Sequence, residues 1–167
     1  NVLLFLLLLL HYHLPTLSQH GISQPTSCSE SAVESLYRKY SYPPRDPAKE
    51  ISGKIKFPTH DDPNLLRATM FGGRPLPSPF RALIAGGGTG DATISLALGL
   101  LRVGRARHSV ILHVDLSEAS IEIAKKRLRV HSDYLRSSGI QILFLKSTIR
   151  ELPQRDLGGG NKFHYIN

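Results

Sequence analysis

The sequence predicts an α/β fold, an open, doubly wound and mostly parallel sheet, over residues 80–167. Three observations carry that reading. Short apolar runs at 80–85, 110–114, 140–145 and 163–166 read as buried strands. Segments of helical period separate the first three, and strand–helix–strand repeats imply parallel pairing with right-handed crossovers. A glycine-rich turn follows the first run and an aspartate the second, at the strand ends where open α/β sheets bind ligands.

The elements follow in order. Residues 1–30 form an apolar leader and a Ser/Thr/Pro-rich linker. The apolar run 1–10 is shorter than the ~20 residues that span a bilayer, and no basic segment precedes it. A cytoplasmic location is expected, with the run leaving membrane association open. His11, His13 and His20 are loosely spaced and predict no metal site. Residues 31–79 read as a short helical accessory segment. Ala32, Leu36 and Tyr40 place a helix over 31–40, which the prolines at 43, 44 and 47 end. A second short helix spans Asn64 to Phe71, started near Asp62 or Pro63 and stopped by Gly72 and Gly73. His60, Asp61 and Asp62 read as a solvated turn. The proline-rich stretch 74–79 is the boundary to the third unit, 80–167.

In that unit a largely apolar helix runs from Asp91 to Leu101 and ends at Gly104. Ser117 caps the next, with Glu118 in its first turn, where unpaired amides favour negative charge. Ile121, Ala124, Leu128 and Leu135 extend one helical stripe to Gly139, with His131 exposed. His113 reads as a packed neutral histidine inside the second strand. A turn at 149–152 and a glycine loop at 158–160 precede the fourth strand.

Composition excludes several function classes. With 41% hydrophobic and 20% charged residues, 167 residues support one cored domain, against fibrous or wholly disordered chains. The single cysteine, Cys28, makes neither an intramolecular disulfide nor a thiolate cluster. The net charge is +8, but the basic residues are scattered. The cluster 125–129 follows Glu118 and Glu122 as a solvated helix face would. Nucleic-acid binding is not expected.

The turn Gly86-Gly87-Gly88-Thr89-Gly90-Asp91 lies between strand and helix. Glycines there let a ligand approach the main chain, and the helix amides behind favour an anionic or polar group. A nucleoside triphosphate loop requires a lysine after Gly90, where Asp91 stands. A dinucleotide loop counted from Gly86 and Gly88 meets Asp91 where its third glycine belongs. The remaining pattern is G-x-G-x-G, at Gly86, Gly88 and Gly90. Asp115 is an acceptor-only group able to take two ribose hydroxyls. Asp91 reads as an acid at a helix start, or as a contact to a ligand ammonium.

Together with Val114-Asp115-Leu116-Ser117, the helix from Ile121 to Leu128, the segment 145–153 and the strand 163–167, this loop resembles the N-terminal half of a class I S-adenosylmethionine-dependent methyltransferase of Rossmann-like fold. The resemblance implies S-adenosylmethionine as cofactor, bound by Gly86, Gly87, Gly88, Thr89, Gly90, Asp91, Asp115, Leu116, Ser147 and Thr148, with Asp115 on the ribose and Ser147 and Thr148 beside the adenine. It implies methyl transfer to an unidentified acceptor, with no metal and with the catalytic residues unknown. The accessory segment, at Tyr40 to Arg45, is expected to cover the cofactor, recognise substrate or engage a protein partner. The chain departs from the pattern in having Ile84 two positions before the first glycine and no acid at Ser147 or Thr148. Its span from Gly90 to Asp115 is also long. It is read as a fragment with the sheet incomplete at the C-terminus. An NAD(P)-dependent oxidoreductase and a non-catalytic interaction protein of the same fold are the alternatives.

Overall fold

The computed structural model describes residues 30–50, 61–154 and 162–167. Helix α1 is Glu30–Lys39, followed by a 3-10 turn at Pro47–Lys49, and α2 is Pro63–Thr69. Then come β1 (Arg81–Ala85), α3 (Asp91–Arg102), β2 (Val110–Asp115), α4 (Glu118–Arg129), α5 (Ser132–Ser138) and β3 (Gln141–Lys146). A 3-10 turn at Ile149–Gln154 and β4 (Tyr165–Ile166) complete the order. The leader, His60 and the 158–160 loop lie outside the described residues.

The four strands form one sheet in the order β3-β2-β1-β4, and all three pairings are parallel. This is a doubly wound, Rossmann-like α/β sheet. Its strand order reverses between β1 and β4, so the carboxyl ends of β1, β2 and β3 frame the crevice such sheets offer to ligands. The two-residue period of the strands sorts their side chains. Ala82, Ile84 and Ile111 face Ile94, Leu96, Ala97 and Leu100 of α3 and Leu128 of α4. Leu83, Leu112 and Val114 face Leu152 and Phe163 on the other side. Each large aliphatic side chain fully buried in this way contributes about 1.5–3 kcal/mol, and Ile94, Leu96, Leu100 and Ile111 are all at 0% exposure.

Local chemistry sets the helix starts. Asp62 accepts from the amides of Asn64 and Leu65, and Pro63 occupies the first position of α2. Ser117 accepts from the Ser120 amide at the start of α4. Gly104, in the left-handed region, follows the end of α3 as expected.

Five expectations are corrected. The stripe from Ile121 to Leu135 is buried as predicted, but it belongs to two helices. The amides of Val130 and His131 bond carbonyls three residues back, tightening the turn and breaking the helix between α4 and α5. The fourth strand is shorter than expected, pairing with β1 at Tyr165 and Ile166. Beside it the His164 amide donates to the Arg81 carbonyl (2.8 Å), while the Arg81 amide turns to His164 Nδ1 (3.0 Å). Asp61 is not solvated. It is fully buried and accepts from Tyr165 Oη (2.9 Å) and Asn167 Nδ2 (2.7 Å), tying the accessory segment to β4. Burial and that hydrogen bond to Asp61 push the Tyr165 phenol up from its ordinary value. Arg127, read as part of a solvated face, is 0% exposed, and His131 is half-buried against Glu50.

Candidate functional site

A cleft of ≈ 490 Å³ opens at the carboxyl ends of the strands. One wall is the glycine loop, through Gly86 and Gly88, with Asp115 at the end of β2 and Leu116 after it as its floor. The opposite wall is Ser147, Thr148, Ile149 and Arg150 after β3, and Val33, Tyr37 and Tyr42 of the accessory segment close the third side.

The loop's shape follows from its residues. The amides of Gly86 and Gly87 both donate to the Val114 carbonyl (2.8 and 2.9 Å), folding the chain back over β2. Gly88 has φ +54°, and a Cβ there would overlap the Tyr42 carbonyl oxygen. Gly90 has φ +98° and caps α3 in the left-handed conformation, which L side chains rarely adopt. At Gly87 the constraint is steric, since a Cβ would run into the His113 ring beneath it.

Asp115 holds this arrangement from below. Its Oδ2 accepts from the Gly88 amide (2.8 Å) and its Oδ1 from the Ser117 amide (2.8 Å). An ionised carboxylate offers about four acceptor sites, so these two bonds leave capacity for donors on the cleft side. His113 lies deeper, fully buried, its Nδ1 2.8 Å from Thr93 Oγ1 and its ring tilted against Phe144. Burial pulls its pKa down to about 4, so it is neutral near pH 7. That agrees with its reading as a packed neutral histidine.

Of the ten residues the sequence nominates, Gly86, Gly88, Asp115, Leu116, Ser147 and Thr148 line the cleft. Gly87, Thr89, Gly90 and Asp91 sit behind that wall. Thr89 is fully buried, and its hydroxyl donates to the Pro43 carbonyl (2.7 Å). Asp91 stands at the first position of α3, one residue after the cap, and its carboxylate is occupied by two guanidinium groups. Arg45 reaches it through Nε (3.0 and 3.1 Å) and Nη2, and Arg127 through Nη1 (2.6 Å). Burial alone would raise the Asp91 pKa; the hydrogen bonds from Arg45 and Arg127 overcome it and hold the carboxyl below its ordinary value. The same hydrogen bond raises the Arg45 pKa. The geometry therefore gives Asp91 a role in holding the loop from behind.

Sequence reasoning missed Val33, Tyr37 and Ser120 as lining residues, placed Ile149 and Arg150 only within the segment 145–153, took Arg127 for part of a solvated face, and missed Glu50 altogether. A signal for Arg127 existed: with Ser120 and Ala124 it occupies spacings of four and three, one face of α4. Across the cleft, Ser147 Oγ donates to Glu151 Oε2 (2.8 Å), which brings an acid beside the segment where the sequence shows none at 147 or 148. Thr148 Oγ1 is buried and has no hydrogen-bond partner.

Fold and site together define a class: a Rossmann-like α/β domain with a glycine-loop cleft at the carboxyl ends of its parallel strands. No protein-family model matches the chain, and comparison with curated proteins finds no significant match. Among the described residues no group of three or more His, Cys, Asp or Glu side chains is placed to hold a metal ion, and no helix is long and apolar enough to cross a membrane.

Proposed function

We propose that the cleft binds S-adenosylmethionine and that the protein transfers its methyl group to an acceptor. The observation that carries this reading is the makeup of the cleft. A side-chain-free loop and an acceptor-only carboxylate meet around one space of suitable size, closed by Ser147, Thr148 and the accessory segment.

In this reading Gly86 and Gly88 present bare main chain to the amino-acid part of the ligand, where a Cβ would intrude. Asp115 accepts from the ribose hydroxyls while keeping its bonds to Gly88 and Ser117. Ser147 and Thr148 border the adenine, with Tyr37 and Tyr42 excluding water from above. Gly87, Thr89, Gly90 and Asp91 shape the loop. When bound, the sulfonium supplies an activated methyl that passes to a nucleophile and leaves S-adenosylhomocysteine, with no redox partner required. What the chain adds is in-line placement and exclusion of water, which carry much of the rate for such transfers.

The test is calorimetric titration of the full chain with S-adenosylhomocysteine, with NADH in parallel, on wild type and on Asp115→Asn and Asp115→Ala. Circular dichroism verifies that each sample is folded. Saturable binding of the homocysteine ligand, weakened by both substitutions, is expected. Binding of NADH instead would assign the cleft to a nicotinamide cofactor, and a folded wild type that binds neither would overturn the reading.

A further inference from the structure

Arg127 is fully buried, and its contacts join three parts of the chain that are remote in sequence. From α4 its Nη1 donates to the Thr89 carbonyl inside the glycine loop (2.7 Å) and to Asp91 Oδ1 (2.6 Å). Its Nε donates to Glu50 Oε2 of the accessory segment (2.7 Å). Arg45, from the same segment, binds the other side of Asp91. Thr89 Oγ1 bonds the Pro43 carbonyl, and the Tyr42 carbonyl fills the space a Cβ on Gly88 would take. The loop is thus gripped from behind by α4 and from the front by residues 42–50. Loosening either grip takes one of two guanidinium partners from the mostly buried Asp91, which is costly.

We infer that Arg45 and Arg127 are positioning residues for the ligand loop, acting through Asp91, and that residues 42–50 and the loop 86–91 order as one cooperative unit when the cleft fills. The chemistry gives the inference its direction. Gly88 and Tyr42 both line the cleft, so a ligand seated there touches loop and segment at once. It binds tightly only where both are in place, and by linkage it stabilises their joint ordered state by as much as that ordering raises its affinity. Arg45 itself does not line the cleft, so a change there reaches the ligand only through Asp91 and the loop. The ligand-bound part of this inference rests on the S-adenosylmethionine reading; the coupling of segment to loop does not.

The experiment is amide hydrogen exchange on the full chain, comparing wild type, Arg45→Gln and Arg127→Met, with and without S-adenosylhomocysteine. Arg45 is part-exposed, so Arg45→Gln tests the coupling even if Arg127→Met fails to fold. Without ligand, exchange at Gly88 and Gly90 is expected to quicken in Arg45→Gln while the strands β1 and β2 keep their protection. With ligand, exchange across residues 45–50 is expected to slow in wild type but much less in Arg45→Gln, whose affinity falls about tenfold. Unchanged loop exchange in Arg45→Gln would overturn the coupling, whatever the ligand does. Quickened loop exchange in a folded protein that fails to bind the homocysteine would uphold the coupling and reject only the cofactor.

Discussion

The two long walls of the cleft can be compared bond by bond. On the glycine-loop side, Gly88 is held by Asp115, Thr89 by Pro43 and Arg127, and Asp91 by two arginines. On the β3 side, Ile149 is 63% exposed, Arg150 and Glu151 are exposed, and Thr148 Oγ1 lacks a partner. The loop must present bare main chain at a fixed distance from Asp115, and a precise site needs second contacts that lock it. The opposite wall is anchored at buried Ser147, whose amide donates to the Asp115 carbonyl and whose hydroxyl bonds Glu151, and it is exposed beyond that point.

The largest expected effect breaks the ordered wall. Arg127→Met takes the guanidinium from buried Glu50 and leaves Asp91 with Arg45 alone, and removing one partner of a buried pair costs about 3–5 kcal/mol. Denaturant unfolding reads this loss directly, and a loss below about 1 kcal/mol would mean that the network contributes little to the fold.

A pH titration probes the same wall from beneath. The His113 imidazole takes up a proton near pH 6.5 in the unfolded chain, but only near pH 4 when folded. Between those values the unfolded state binds more protons, so stability falls as the pH drops through the window and recovers as it rises. Each pH unit across that window is worth about 1.36 kcal/mol, so the contribution reaches at most roughly 3 kcal/mol. Comparing stability at pH 7 and pH 4.5 for wild type and His113→Leu isolates it, with the flatter profile expected in the variant. Asp91 acts below that window. Its depressed carboxyl pKa gives stability that is present above the ordinary aspartate range and is lost as the pH falls through the folded value.

The smallest effect sharpens the contrast on the other wall. Ile149→Ala removes an exposed side chain, so stability is expected to stay within about 0.5 kcal/mol of wild type. A loss above about 1 kcal/mol on denaturant unfolding would show that this wall is as firmly packed as the loop.

How much of this could be read beforehand depends on the range of the forces involved. Strand runs, the Ser117 cap, the stop at Gly104 and the glycine loop were legible because pleat, helix period and left-handed turns are properties of neighbouring residues. The same holds for Asp115, whose place just after a buried run puts it at the mouth of the crevice. The break between α4 and α5 was not legible, since the apolar spacing continues across it and only the altered bonds of Val130 and His131 reveal it.

By itself, then, the sequence determined a parallel α/β sheet with a glycine loop and an acid facing one crevice. Tertiary structure alone decided that Arg127 turns inward, because its partner Glu50 lies 77 residues away in the chain. It also decided that Asp61 is buried, because Tyr165, 104 residues away, supplies its hydrogen bond. A charged or polar side chain reads as solvated until a partner is brought to it. Its burial is set by the free energy of that remote pairing, which no local pattern records.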